Sequence, residues 1–352
     1  MASTIVNNFA VSKSRLFKGL ISTEKEFQHV SNKYAYTKQD VEKVFHEMEE
    51  GLFASRTPGA DDESVPKMLV VVGVEGAGKT HLLNELLNTS RYSNYVPLYE
   101  PEYRTRHPHY DEIEKQGVVY AYKQTEAFVR DLGAMIFEKS LEDKYSIIME
   151  AGLETHEFAG FQTGEHACLY EYEVHVIASK KDFAHVSTIV RALDSVKENK
   201  LERFVSLRDI DAGMANANAV LNAFEEACSK VPGSEITLYE RNFGTDKKSR
   251  MICRSQCTKV GELTPQPISN GSVSVPVAMN QVRIEYESGV VLFGVYKAFS
   301  DIADGAIFHR YGREKMVLEC HAALAGTLHL DRKDAELAVN NLYSYILKYA
   351  IR

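Results

Sequence analysis

The residues best suited to chemistry form one short glycine-rich segment. It reads Gly73-Val74-Glu75-Gly76-Ala77-Gly78-Lys79-Thr80 and has the spacing G-x-x-x-x-G-K-T. Such a segment can curl so that its backbone N–H groups surround phosphate oxygens. Lys79 would then reach the β- and γ-phosphates, and Thr80 would hold Mg²⁺. The spacing therefore predicts a site for ATP and Mg²⁺, with these nucleotide-binding residues: Gly73, Glu75, Gly76, Ala77, Gly78, Lys79 and Thr80.

The elements around this segment are those that a phosphate-binding loop requires. An apolar run at residues 68–72 precedes it, and residues 81–87 follow it with apolar side chains at helical spacing. A strand, a loop and a helix in this order bring the positive end of the helix to the phosphates. The alternative is a strand–helix turn that merely requires small residues, and it leaves Lys79 and Thr80 unexplained.

The rest of the chain predicts the fold that holds this loop. Apolar runs at 95–99, 145–149, 172–178 and 235–239 predict strands, the last of which would end the sheet. Helical patterns at 110–142, 182–198 and 211–230 lie between and around them. This alternation predicts an α/β fold of the P-loop kinase type, with a mostly parallel sheet and helices on both faces. Ligands of such sheets bind at the carboxyl ends of the strands, where Glu100 and Glu150 also lie.

Changes in pattern divide the chain into three parts. Residues before Thr37 are polar with weak periodicity, and a helix is predicted after it, with Thr37 or Asp40 as its cap. After about residue 245, prolines and alternating segments predict β-structure and loops, followed by a helix over 333–350. The predicted parts are an N-terminal arm (1–37), a P-loop kinase domain (38–244) and a C-terminal α+β unit of unknown role (245–352).

Composition excludes several classes of protein. The net charge of −8 disfavours a nucleic-acid partner, since such proteins usually carry a basic stripe. No stretch approaches the ~20 apolar residues of a membrane span, and the N-terminus lacks a signal-sequence pattern. Five cysteines, an odd number, suggest a reducing compartment, and Cys253 and Cys257 are better explained as ordinary thiols than as zinc ligands. We therefore expect a cytoplasmic protein that binds neither membranes nor nucleic acid.

Further motifs follow the loop in a recognisable order. They are Tyr103-Arg104-Thr105-Arg106-His107-Pro108-His109-Tyr110, Met149-Glu150-Ala151, Thr188-Ile189-Val190-Arg191 and Arg203. The ordered set resembles the zeta-toxin family of small-molecule kinases over roughly residues 38–242. That resemblance implies transfer of the γ-phosphate of ATP to a sugar hydroxyl of UDP-N-acetylglucosamine, which makes the protein a toxin. It also implies an antitoxin protein as a possible partner, which would obstruct the nucleotide site.

The resemblance also assigns catalytic roles. Lys79, Arg191 and Arg203 would surround the β- and γ-phosphates, a task suited to arginine because its planar fork meets phosphate oxygens in pairs. The catalytic aspartate of the family falls on Pro101, which has no side chain able to accept a proton. We therefore predict that Glu102 or Glu100 is the base, with a slight preference for Glu102.

Three residues are predicted to bind the small-molecule hydroxyl acceptor. Glu150 would bind it or support Mg²⁺. Glu126 matches an acceptor-binding glutamate of the family by type, although its spacing to Glu150 is too long. His107 belongs to the H-P-x-Y block and is assigned to the same side, with local packing as the alternative.

Two departures from the family pattern keep other functions open. Glu154 stands where the family has an arginine that contacts the UDP-sugar, and Pro101 replaces the base. Both favour a kinase of the same fold with another acceptor, such as a nicotinamide dinucleotide, a nucleoside or a drug. A third possibility is a nucleotide-gated binding protein without catalysis.

Overall fold

The computed structural model describes residues 32–59, 65–98, 101–153, 170–198, 204–270, 273–275, 283–285, 291–305, 309–330 and 332–350. These residues belong to two compact units. The first lies within Met1–Pro66 and Tyr92–Ile148, and the second within Lys67–Arg91 and Met149–Arg352. The three-part division expected from the sequence stays a prediction.

The elements of both units are numbered in chain order. The strands are β1 (Lys67–Gly73), β2 (Val96–Pro97), β3 (Ile147–Gly152), β4 (Glu171–Ala178), β5 (Glu235–Glu240), β6 (Arg250–Lys259), β7 (Glu262–Pro265), β8 (Ile268–Asn270), β9 (Val273–Val275), β10 (Arg283–Glu285) and β11 (Val291–Phe293). The helices are α1 (Lys38–Phe53), α2 (Lys79–Leu87), α3 (Tyr110–Glu114), α4 (Val118–Glu142), α5 (Lys181–Lys197), α6 (Leu207–Lys230), α7 (Val295–Ala303), α8 (Arg310–Leu324) and α9 (Arg332–Ala350). Short 3₁₀ turns include Pro101–Arg106 and Phe243–Thr245.

A mostly parallel sheet is the central element. Among the described residues it has seven strands in the order β2-β3-β1-β4-β5-β6-β7. β4 pairs in parallel with β1, in the register Gly73↔Ile177, and with β5, in the register Ile177↔Tyr239. The predicted α/β class is confirmed. The expectation that β5 ends the sheet is wrong, because β6 pairs with it antiparallel and β7 then pairs with β6.

In the first unit, α1 packs against α4. Thr37 is the N-cap of α1, and its hydroxyl accepts a hydrogen bond from the Asp40 N–H while the Asp40 carboxylate accepts one from the Thr37 N–H. This reciprocal capping box explains why the helix begins where the sequence predicts. The buried side chains of the cluster are Val41, Val44, Phe45, Leu52, Phe53, Val96, Tyr103, Phe128, Leu132 and Ile136.

In the second unit, the C-terminal helices pack onto α5. One face of α5 contributes apolar side chains such as Phe183, Ile189 and Leu193, and α8 and α9 contribute Met316 and Leu342. Burying each such side chain contributes about 1.5–3 kcal/mol. The C-terminal helices therefore support the helix that carries Arg191.

None of the helices in the described part of the chain is long and apolar enough to cross a bilayer.

Candidate functional site

The glycine-rich loop connects β1 to α2. Two of its glycines combine a positive φ with neighbouring atoms that leave no room for a side chain. Gly76 has a φ of +79°, and an added Cβ would lie 2.0 Å from the carbonyl oxygen of Ala184 on α5. Gly78 has a φ of +104° and is the N-cap residue of α2. L-residues with side chains rarely adopt such φ values, and nothing larger than glycine fits at Gly76. These two residues therefore determine the conformation of the loop.

The N-terminus of α2 faces this loop without a side-chain cap. The first N–H groups of a helix have no partner inside the helix, and they carry a partial positive charge. Where such groups follow a curled glycine loop, they form an anion-binding site.

The ammonium group of Lys79 lies inside the loop. The side chain is only 5% exposed. Its Nζ lies 3.4 Å from the carbonyl oxygen of Val74, 3.5 Å from Oε1 of Glu75 and 4.0 Å from Oε1 of Glu150. A cation held in this way stays near the loop and can exchange these oxygens for those of a phosphate.

Thr80 and Glu150 form a second polar pair beside Lys79. The Thr80 hydroxyl donates a hydrogen bond of 2.9 Å to Oε2 of Glu150, which projects from β3. Burial raises the pKa of Glu150, while Lys79 and the Thr80 hydrogen bond oppose that rise. The prediction that Glu150 lies beside the loop rested on the carboxyl ends of parallel strands, and this arrangement agrees with it.

The oxygen atoms of this pair fit the requirements of Mg²⁺. Magnesium binds hydroxyl and carboxylate oxygens, keeps several waters and takes other ligands from substrate phosphates. In the described part of the chain, no group of three or more His, Cys, Asp or Glu side chains could hold a metal ion by itself. Thr80 and Glu150 could therefore supply oxygen ligands to a magnesium ion whose other ligands come from water or a phosphate.

Glu75 links the two cations of the site. One carboxylate oxygen lies 3.5 Å from Nζ of Lys79, and the other lies 3.8 Å from Nη2 of Arg191 on α5. The Arg191 side chain is 42% exposed, so it can move towards a ligand. Glu75 thus places one carboxylate between Lys79 and Arg191, where a bound anion would compete with it.

The structure brings together five of the predicted residues in the second unit: Glu75, Lys79, Thr80, Glu150 and Arg191.

The side chains of three other predicted residues are not among those that the structure describes. Glu100 and Arg203 lie outside the described residues, and Glu102 is described only in its backbone, within the 3₁₀ turn Pro101–Arg106. The roles of Glu100, Glu102 and Arg203 stay predictions.

Two predicted acceptor-binding residues belong to the first unit. Glu126 lies on α4 and is half-buried. His107 is 3% exposed. Its Nδ1 accepts a hydrogen bond from the His109 N–H, and burial lowers the pKa of His107 to about 4.

The buried ring of His107 packs among aromatic side chains. Its centroid lies 5.5 Å from that of Tyr36 and 5.1 Å from that of Phe128, both in edge-on geometry. Nε2 has no hydrogen-bond partner among the described residues. These surroundings suit local packing, so direct contact of His107 with an acceptor stays a prediction.

One residue of the site was missed by the sequence analysis. Arg241 directly follows β5, and its Nη1 donates a hydrogen bond of 3.3 Å to the carbonyl oxygen of Ala77 in the loop. A Cβ added to Gly78 would lie 2.8 Å from Cδ of Arg241. The available signal was its place at the carboxyl end of a strand, where ligands of α/β sheets bind.

Comparison with known proteins shows the family of the chain. The profile of the Zeta toxin family matches residues 52–245, which is more than half of the chain. Toxin PezT of Streptococcus pneumoniae serotype 4 is 25% identical over 139 residues, which cover 39% of this chain and 54% of that protein. The match thus spans about half the length of this relative.

Solved structures share the fold. One from the PezAT chromosomal toxin–antitoxin system of S. pneumoniae has a TM-score of 0.52 at 15% identity, covering 88% of this chain and 98% of that chain. The AvrRxo1-ORF1:-ORF2 complex crystallised with ATP has a TM-score of 0.50 at 11% identity, covering 88% of each chain. The loop, its surrounding residues and the family profile lead to one conclusion: the chain belongs to the zeta toxin family.

Proposed function

We propose that the protein is an ATP-dependent phosphotransferase that moves the γ-phosphate to a hydroxyl of a small molecule and acts as a toxin. The single observation that carries this proposal is the convergence of Lys79, Arg191 and the Thr80–Glu150 pair on the glycine-rich loop. A loop that offers backbone N–H groups, two cations and oxygen ligands for magnesium suits phosphoryl transfer, which depends mainly on positioning and charge neutralisation. Family membership and a fold shared with a complex crystallised with ATP support the nucleotide as donor.

Each residue has a definable task in this reaction. The loop N–H groups and Lys79 bind the β- and γ-phosphates, and Arg191 leaves Glu75 to meet the terminal phosphate. Thr80, with Glu150 nearby, would hold a magnesium ion, which would supply positive charge to neutralise the phosphates. The acceptor oxygen forms a bond to the γ-phosphorus while the bond from that phosphorus to the β–γ bridging oxygen breaks. The proton of the hydroxyl passes to a carboxylate, for which Glu102 is the first candidate and Glu100 the second.

UDP-N-acetylglucosamine is the first candidate for the acceptor, since the motifs resemble those of zeta toxins. A different acceptor, such as a nicotinamide dinucleotide, a nucleoside or a drug, is favoured by Pro101 at the position of the usual base and by Glu154, a residue outside the described ones. The relation to the PezAT toxin–antitoxin system supports an antitoxin protein as a partner that restrains the enzyme.

Incubation with γ-labelled ATP tests the proposal. The purified protein is given magnesium and either UDP-N-acetylglucosamine or a metabolite extract, and labelled products are separated. We expect the parent to label one small molecule and Lys79→Ala to label none, because the loop has then lost its buried cation. Lys197→Ala, an exposed lysine on α5, serves as the matched control and should retain full activity. Equal labelling by Lys79→Ala and the parent would refute the proposal.

A further inference from the structure

The side chain of Arg241 has unusual surroundings for an arginine, because it is partly buried and no carboxylate in the described part of the chain is in close contact with it. It is half-buried, and burial lowers its pKa. No carboxylate of the described residues lies within ion-pair distance of its guanidinium group, although the charge of Glu85 acts on it from farther away and opposes the lowering of its pKa. An unpaired buried charge is costly, so its retention calls for an explanation.

The guanidinium group is nevertheless held firmly by backbone carbonyls. Nε donates a hydrogen bond of 2.8 Å to the carbonyl oxygen of Lys247, and Nη1 donates one of 3.3 Å to that of Ala77. The backbone N–H of Arg241 donates to the carbonyl oxygen of Ala178 at the end of β4. The planar group therefore connects a turn that follows β5 with the phosphate-binding loop.

This turn is itself held in a strained conformation. Asp246 and Lys247 both have positive φ, +51° and +62°, which costs roughly 1–2 kcal/mol per residue outside glycine. Two contacts with α8 stabilise it, since Tyr311 donates a hydrogen bond to Asp246 and Lys247 pairs with Glu319. The strain orients the Lys247 carbonyl towards Arg241, and backbone strain of this kind is concentrated at functional sites.

The loop is thus enclosed from two directions. Gly76 lies against the backbone of α5 at Ala184, and Gly78 lies against the side chain of Arg241. An atom added at Gly78 would meet Cδ, Nη1 and Cζ of Arg241 within 2.9 Å. Displacement of Arg241 would therefore free the Ala77–Gly78 peptide to rotate away from the conformation that receives phosphate.

We infer that Arg241 is a positioning residue of the nucleotide site, which fixes the Ala77–Gly78 peptide for phosphate binding and contributes an unpaired positive charge beside the loop. This inference rests on the proposed nucleotide site. It links helix α8 to nucleotide affinity through the turn at 242–247.

Binding of a non-hydrolysable ATP analogue, adenylyl imidodiphosphate with magnesium, tests the role of Arg241. We expect Arg241→Ala to weaken the affinity about tenfold, the effect of losing one charge-assisted contact. Arg241→Lys keeps the charge but cannot hold two carbonyls, so it should recover part of the loss. Arg250→Ala is the matched control, because Arg250 is exposed and pairs with Glu240.

A second readout separates positioning from general instability. Titrations are made at a temperature where circular dichroism shows every variant folded. KM for ATP should rise in parallel with the dissociation constant, while kcat stays within about twofold, because Arg241 acts on the loop and not on the reacting atoms. Inorganic tripolyphosphate should lose affinity for Arg241→Ala to the same extent as the analogue.

The outcomes are distinguishable. If the parent binds the analogue and Arg241→Ala binds it equally tightly, the inference is overturned while the proposed function stands. An unchanged affinity of Arg241→Ala for tripolyphosphate overturns it as well, since the phosphate loop would then be unaffected. If the parent binds neither probe, the proposed function itself fails.

Discussion

The loop at 73–80 and the segment at 101–110 both carry recognisable motifs, yet their side chains make different kinds of contact. In the loop, the motif residues Lys79 and Thr80 interact with other polar groups of the candidate site. In the segment, the Tyr103 hydroxyl donates a hydrogen bond to the Pro97 carbonyl, and His107 is buried among aromatic rings. The loop motif gathers polar and charged side chains, and the other motif makes packing and hydrogen-bond contacts within its own unit.

This difference shows that a motif can mark either chemistry or folding. Arg104, for example, belongs to the second motif and stacks on the ring of Tyr122, with its Cζ 3.6 Å from the ring centroid. It also donates hydrogen bonds to the Tyr122 carbonyl and to the Thr125 hydroxyl. A basic residue in a zeta-toxin motif thus makes its contacts inside its own unit, which the residue type alone does not indicate.

The largest expected effect comes from Gly76→Ala in the loop. The new Cβ would lie 2.0 Å from the Ala184 carbonyl oxygen at a φ of +79°, so the loop must shift. We expect the affinity for nucleotide to fall by about a hundredfold or more and the free energy of unfolding to fall by roughly 2–3 kcal/mol.

Gly133→Ala within α4 is the matched control, because nothing lies within 4 Å of its added Cβ. It should raise stability by a few tenths to about 1 kcal/mol. Calorimetry and denaturant unfolding measure both effects, and normal binding by Gly76→Ala would contradict the described loop.

The next prediction concerns His107, a buried residue of the segment 101–110, and the pH dependence of protein stability. The pKa of His107 is lowered from 6.5 to about 4 in the folded protein, so the unfolded chain binds the proton more readily. The stability contributed by neutral His107 is complete above about pH 6.5 and is lost as the pH falls through about 4. By linkage, the free energy of unfolding falls over this pH range, because the unfolded chain takes up the proton first.

The variant His107→Asn isolates this contribution. Its amide oxygen can still accept the hydrogen bond from the His109 N–H, but the side chain does not titrate. We expect the variant to be less stable than the parent at pH 7 and to lose less stability than the parent on acidification to pH 4. Urea unfolding across this range measures the difference. Parallel curves would mean that His107 does not carry the pH dependence.

The smallest expected effect is a gain of affinity. Glu75 contacts both Lys79 and Arg191 in the free protein, so a triphosphate must displace it. Removing the charge in Glu75→Gln should tighten binding of the ATP analogue about tenfold, because the competing anion is gone. Glu226→Gln on α6, whose partner is Lys230, is the control for a simple change of net charge. Unchanged or weaker binding by Glu75→Gln would show that Glu75 does not compete with the terminal phosphate.

Much of the sheet could be predicted because its signals are local. β1, the loop and α2 follow from a single apolar run, a fixed spacing and a helical pattern. The addition of β6 and β7 to the sheet was harder to predict, although both pair with sequence neighbours, as in Glu240↔Arg250 and Lys259↔Glu262. Most side chains of β6 are polar and only partly buried, so its strand pattern is weak. Helix α8 was missed because Met316 and Cys320 are buried while Leu318 is 64% exposed, which blurs its apolar face.

The same limit applies to the site. Glu150 could be placed beside the loop because the carboxyl ends of parallel strands meet at one edge of the sheet. Arg241 could not be assigned, since its role depends on a turn with two positive φ values and on contacts with α8. The contact of Glu75 with Arg191 likewise arises only when α5 packs beside the loop.

The most direct test is isothermal titration calorimetry, in which the protein is titrated with adenylyl imidodiphosphate in the presence of magnesium. If the loop at 73–80 binds a nucleoside triphosphate, Lys79 is the side chain on which that binding depends most. We expect the parent to bind one nucleotide per chain and Lys79→Ala, equally folded, to show no measurable binding. Absence of binding by the parent, or equal binding by both proteins, would contradict the account.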